Sequence, residues 1–502
     1  MAFKSPLPRQ GLAGRPNHGG MKVIAAALAG ALLIAPTARA QNAADPFIWL
    51  EDIDSPRSMA WVEAQNAKTA KRLEGDPRYA PYLAEARAIF TAQDRIPAPR
   101  FRAGGIDNFW QDAAHPHGIW RRTTQASYRM AAPTWDTLLD IDKLAADEKK
   151  NWFWKGADCL KPDESLCLVA LSNGGGDAVE LREFDATAKR FVDGGFRLPE
   201  GKQNVEWLDR DTLVAGREWT PGEVTASGYA YVLKLVPRSG EAKEIFRGQK
   251  TDVWAGPTVL RGAGGVDGVL IQRALSFFEF EYSLYADDRL IALPLPRKAQ
   301  NRAYVDGQLV FNLQEDWGEF RIGDLISLDL ATLKADPNKP RAKLIFRPGP
   351  TQAIQNVADT DGKLVVELLE DVKGAVDAYD YDDGRWTARR LALPKDSTLT
   401  LRSTSSQDDQ LFVAGESFLA PNSLWLADAA TGKAEQVKTS PARFDASRHV
   451  VEQFWTASSD GTKIPYFVVR PKGAKLDGAL PTIMYGYGGF EVAKPPDYVP
   501  ER

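Results

Sequence analysis

Between about residues 115 and 445 apolar and polar positions alternate over short runs, and residues that turn the chain separate those runs. Alternation of period two predicts strands with one face buried. One unit recurs: a strand, a turn rich in Asp, Gly or Lys, and a second strand. It occupies residues 137–144, 179–192, 229–246, 282–295, 325–346, 375–393 and 423–437, with starts 42, 50, 53, 43, 50 and 48 residues apart. A four-stranded propeller blade takes roughly 40–50 residues. Seven such units predict a seven-bladed β-propeller over 115–445. A pair of β-sandwiches gives no reason for so steady a period.

The flanks are patterned differently. Over 41–114 the spacing is helical: Trp49, Leu50, Ile53, Trp61 and Val62 fall on one face, and Ser55-Pro56 is a helix start with proline at the first position. Residues 79–92 continue in that style until Ile96-Pro97-Ala98-Pro99 breaks it. At the other end, 450–457 and 464–470 read as two strands around the turn Ser458-Ser459-Asp460-Gly461-Thr462-Lys463. Residues 480–485 read as a buried strand entering Gly486-Tyr487-Gly488-Gly489-Phe490. Strands of this kind after a hairpin match the opening of an α/β-hydrolase sheet, whose glycine-rich loop contributes to the oxyanion hole. The predicted architecture is therefore mainly β: a helical segment at 41–114, the propeller, and the start of a hydrolase domain at 446–502.

The first forty residues carry an address. Residues 23–35 are small or apolar without a break, with Lys22 before them and Pro36-Thr37-Ala38-Arg39-Ala40 after. Thirteen residues fall short of a bilayer core of roughly 30 Å. A basic end, a short apolar run and Ala-x-Ala predict a signal peptide at 1–40, cut after Ala40. The mature protein is then exported, periplasmic if the source is a Gram-negative bacterium, with no membrane contact after cleavage.

Length and composition narrow the classes. At 502 residues, with 26% charged and 44% hydrophobic side chains, the chain is an ordinary globular protein of two or more domains. The net charge of −4 includes five basic and no acidic residues in 1–40, so the remainder carries about −9. An acidic body without basic runs argues against nucleic acid as a partner. Four histidines and two cysteines leave little for a metal site, and no cofactor is implied. Cys159 and Cys167 flank a turn-rich segment. In an oxidising compartment they form a disulfide; the alternative is two buried thiols.

Several motifs are structural on this reading. Asp359-Thr360-Asp361-Gly362 and Asp380-Tyr381-Asp382-Asp383-Gly384 lack the acid spacing and closing Glu of a calcium loop, and read as hairpin turns. His115-Pro116-His117 has no third ligand at useful spacing. Ser172, in Leu171-Ser172-Asn173-Gly174, has Ala170 two positions before it and a strand after it. A nucleophile elbow needs a small residue on each side and a following helix. Ser172 is assigned no catalysis.

Asp45-Pro46-Phe47-Ile48-Trp49-Leu50-Glu51-Asp52 with Trp61-Val62-Glu63-Ala64-Gln65-Asn66 resembles the opening of the prolyl oligopeptidase family of serine peptidases. Lys475-Leu476-Asp477-Gly478, leading into Tyr485-Gly486-Tyr487-Gly488-Gly489-Phe490, resembles that family's entry to its catalytic domain, and its prolyl branch in particular. The resemblance covers 45–502 and brackets the propeller. It implies a peptidase acting on oligopeptides, proline-containing ones in the best-known members. Tyr487 would donate its phenol to the oxyanion, a contribution of about 3 kcal/mol, and Phe490 would line the pocket before the scissile bond. The family's Ser, Asp and His follow this turn, whereas the chain runs only to Arg502 and contains no Gly-x-Ser-x-Gly. None of His18, His115, His117 and His449 matches the family's base. The 502-residue chain alone is thus expected to be inactive. The alternative is an exported propeller that binds peptides or proteins without catalysis.

Overall fold

The structure, a computed structural model, describes residues 45–487 and 492–499. The signal segment therefore lies outside the described residues. Of the described residues, 45–82 form one compact unit and those from Leu83 onward a second.

In the first unit a 3-10 turn, Ile48–Glu51, precedes helix α1, Pro56–Leu73. The Ser55 hydroxyl accepts the Ser58 N–H at 3.1 Å, and Pro56 takes the first helical position, where no N–H is required. This cap divides the apolar stripe: Trp49 and Ile53 precede the helix that carries Trp61 and Val62, so the five positions do not share one helical face. Trp49 still meets Trp61 edge to face at 6.2 Å. Helix α2 spans Tyr79–Phe90.

The second unit contains seven consecutive antiparallel sheets, six of four strands and one of five, each built from one contiguous stretch between residues 100 and 439. It is a seven-bladed β-propeller. The first strand of each blade lies innermost: Arg100–Arg102, Trp152–Cys159, Asn204–Trp207, Trp254–Gly262, Ala299–Val305, Gln352–Asp359 and Thr398–Thr404. In blades 2 to 7 the repeat seen in the sequence is the outer hairpin of the blade. In blade 1 it falls on the last strand and the helix after it. That shift moves the boundary: the propeller begins at Arg100, and strands Arg100–Arg102 and Gly105–Trp110 occupy a stretch expected to be helical. A three-residue strand with two arginines carries no period-two signal.

The second strands explain the fold's stability. Gln308–Leu313 is buried along its whole length, because both of its faces meet a neighbouring blade. In blade 6, Leu364, Val366 and Leu368 join the core shared with blade 5, while Val365 joins the core shared with blade 7. Seven apolar clusters result, one at each interface between blades. Close packing also limits side chains: a Cβ on Gly374 would sit 2.5 Å from the Leu399 nitrogen of blade 7.

The interface between blades 7 and 1 has no connecting chain to hold it. Phe412 fills it, stacked on Phe101 at 4.6 Å and on Tyr128 edge to face at 5.5 Å. Its core has five buried residues, against fourteen between blades 4 and 5, among the described residues. The Ser403 hydroxyl accepts the Phe101 N–H at 2.9 Å, and Arg129 pairs with Glu435 at 2.7 Å.

After the propeller, His449–Ala457 and Lys463–Pro471 form a two-stranded hairpin, as the pattern predicts. Residues 480–485 differ from expectation: they form no strand, and Ile483 and Met484 are 97% and 95% exposed. A central strand of a hydrolase sheet needs neighbours on both sides, and the described residues supply none.

Phe412→Ala should lower the unfolding free energy by about 3–5 kcal/mol, the usual cost of emptying a buried aromatic site. Chemical denaturation checks this, and a loss below about 1 kcal/mol would contradict the seam described here.

Candidate functional site

Two regions carry chemistry. The first is the glycine-rich turn. Tyr487 is half exposed, and the Lys494 ammonium lies 5.0 Å from its ring centroid and 5.7 Å from that of Tyr485. Cation–π attraction holds a positive charge beside the phenol proposed as an oxyanion donor. Gly488, Gly489 and Phe490 lie outside the described residues. The segment carrying this turn packs on one face of the propeller. Pro496 accepts a hydrogen bond from Thr398, Tyr498 accepts the Arg443 N–H at 2.8 Å, and Gln453 donates to the Asp371 carbonyl at 2.7 Å. Thr398 opens an inner strand, and Asp371 lies between second and third strands, so both mark the face where inner strands begin.

The second region is the axial channel, where a cavity of about 560 Å³ is lined chiefly from blades 1, 2, 6 and 7. Phe109 and Trp154 stack at 5.2 Å on its wall, with Trp120 beside them. Arg100, Arg102, Lys161 and Arg402 bring positive charge, and Asp107, Glu164 and Asp359 negative charge. Asp107 is engaged by Arg122 at 2.5 Å and by the Trp120 indole at 3.0 Å. Glu164 accepts from Arg102 at 3.0 Å and from the Ala103 N–H at 2.6 Å. Burial raises the pKa of the Asp359 carboxyl, with Lys161 opposing the shift.

Four inner strands hold one extra residue against their partner: Lys155, Arg302, Gln355 and Arg402. Such a bulge bends the strand and leaves its extra residue out of the ladder. On the inner strand of blade 3, burial pushes the Glu206 carboxyl up to about 7, against a hydrogen bond from the Val259 N–H at 2.7 Å. Asp158 is raised by burial as well.

Cys159 and Cys167 face each other across the first two strands of blade 2, with their sulfurs bonded at 2.05 Å. The loop they close supplies Glu164 to blade 1, and its Pro162 carbonyl accepts from Gln407 of blade 7 at 3.0 Å. The remaining motifs are structural. The Ser172 hydroxyl donates to the Gly176 carbonyl at 2.9 Å inside a blade turn. His115 pairs with Asp112 at 3.0 Å, and His117 bonds the Trp152 carbonyl at 2.7 Å. Asp383 and Gly384 both take positive φ in a two-residue hairpin turn, the conformation Asp-Gly favours. The channel charges were not singled out in the sequence. The available signal is a charged residue in the short run that precedes each repeat unit by about 20–35 residues, the inner strand of each blade.

Residues 35–440 match the prolyl oligopeptidase N-terminal β-propeller domain. The chain is 46% identical over 480 residues to an uncharacterized peptidase of Sinorhizobium fredii, covering 92% of this chain and 66% of that protein. It is 24% identical over 472 residues to a prolyl endopeptidase of Elizabethkingia meningoseptica, covering 90% and 63%. A post-proline cleaving enzyme from Rickettsia typhi has a similar structure, with a TM-score of 0.78 at 26% identity, over 90% of this chain and 68% of that one. The chain thus spans about two thirds of the length of the curated relatives it matches.

Glu206 yields a test of the channel's electrostatics. Its folded pKa lies above the unfolded value, so the associated stability is full at low pH and is lost as pH rises from about 4.5 to about 7. Glu206→Gln should remove that dependence and stabilise the protein at pH 8 by up to about 3 kcal/mol. Melting curves at pH 5 and pH 8 decide it, and parallel wild-type and variant profiles would contradict the assignment.

Proposed function

The chain belongs to the prolyl oligopeptidase family, and from that premise we propose that it forms the front part of a serine oligopeptidase that cleaves short, proline-containing peptides by acyl transfer. The observation carrying this reading is the family propeller over 35–440, followed by the turn Tyr485-Gly486-Tyr487-Gly488-Gly489-Phe490. Tyr487 then stabilises the oxyanion of the tetrahedral intermediate, where a preorganised neutral donor acts most strongly. Phe490 packs on the residue before the scissile bond. The nucleophilic Ser, its His base and the orienting Asp come from sequence beyond residue 502. The exposed Ile483 and Met484 support this: a segment patterned as a central strand lacks neighbouring strands among the described residues.

Export belongs to the same proposal. The leader at 1–40 directs the chain to an oxidising compartment, where the Cys159–Cys167 bond persists. The intact mass of the exported protein should place its first residue at Gln41; retention of residues 1–40 would contradict export by cleavage.

Two measurements test the catalytic reading. A fluorophosphonate probe should leave the 502-residue chain unlabelled, and stoichiometric labelling at a Ser would overturn its assignment as inactive. The reading frame should continue past codon 502 into a Gly-x-Ser-x-Gly, and the longer protein should hydrolyse prolyl peptides. In that protein Tyr487→Phe should lower kcat about 10²–10³-fold with little change in KM. An inert longer protein would contradict the peptidase reading.

A further inference from the structure

Arg100, Lys161 and Arg402 line one cavity and are exposed to it, and none of their side chains has a hydrogen bond or ion pair among the described residues. They come from the inner strand of blade 1, the loop closed by Cys159–Cys167, and the bulge of blade 7. Arg102 lies beside them with its side chain only 6% exposed, and its Nε is buried without a hydrogen-bond partner. Desolvation and the like charge of Arg102 lower the pKa of Arg100, while Asp158, Glu164 and Asp107 oppose the shift. Asp107 and Glu164 are already engaged by other groups, and burial favours the neutral form of Asp359. The cavity is therefore short of negative charge.

We propose that this end of the channel is a subsite for a peptide carboxylate, held by Arg100, Lys161 and Arg402. A guanidinium matches a carboxylate through two parallel hydrogen bonds. Phe109 and Trp154 supply an apolar wall for the residues that bear it. A single negative charge suits the site better than a dianion, because three acidic side chains share the lining. The site opens where inner strands end, as Lys161 and Ser406 follow the inner strands of blades 2 and 7. The tail bearing Tyr487 packs where those strands begin. The subsite thus lies toward the far mouth of the ring and favours oligopeptides with a free C-terminus. This inference rests on the oligopeptidase reading for its ligand class.

The test is calorimetric titration of the 502-residue chain with an N-acetylated octapeptide lacking acidic side chains, as the free acid and as the C-terminal amide. The acid should bind at least tenfold more tightly than the amide. Arg402→Gln and Arg100→Gln should each weaken the acid about tenfold and leave the amide unchanged; neither side chain has a partner whose loss would unfold the chain. Equal affinity for acid and amide, or no saturable binding to a chain that melts cooperatively, would overturn the subsite. Inorganic phosphate binding as tightly as the peptide acid would overturn the peptide assignment. Labelling of the longer protein by a fluorophosphonate is independent of all these outcomes, so the subsite and the peptidase reading fail separately.

Discussion

The ring depends on closing its seventh interface by side chains alone. Every other pair of adjacent blades is joined by the chain that runs from one to the next. Blades 1 and 7 are each complete, and neither lends a strand to the other. Phe412 must therefore hold through packing what the chain holds elsewhere, stacked on Phe101 and edge to face with Tyr128. The loop between Cys159 and Cys167 reinforces that seam from blade 2, reaching Arg102 and Ala103 on one side and Gln407 on the other. Covalent closure of so short a loop limits the alternative positions of Glu164, whose carboxylate would otherwise compete for water.

Closing the ring has an electrostatic consequence. The inner strands lie side by side around an axis, and their charged residues are drawn together. Glu206, Asp158 and Asp359 respond with raised pKa values, and Arg100 with a lowered one. Bulges at Lys155, Arg302 and Arg402 leave three cations out of the ladder, and Arg402 among them lines the cavity. A charged cavity lies toward one mouth of the propeller, and the tail segment packs on the opposite face.

Much of this was legible in the sequence because a blade leaves a periodic mark. The outer hairpins alternate over short runs, and their spacing of 42–53 residues fixed the number of blades. Helix α1 was legible through Ser55-Pro56, and the tail hairpin through Ser458–Lys463. Blade 1 was misplaced because its inner strand is three residues long and its third strand, Ile119–Thr123, carries two arginines. The strand expected at 480–485 was read from apolar pattern alone, which reports what a segment can bury and not whether its neighbours are at hand. The channel charges were hidden for a different reason. Arg100, Lys161 and Arg402 are distant in sequence, and only ring closure makes them neighbours.

Native-state hydrogen exchange on the purified 502-residue chain tests the central claim most directly, since it reads the backbone of the seam itself. Amides of Gly105–Trp110 and Gln410–Glu416 should be protected to the same degree as those of Gln308–Leu313 in blade 5, because a closed ring unfolds as one unit. Rapid exchange of both seam strands, with blade 5 protected, would show a ring that stands open between blades 1 and 7 and would contradict this account.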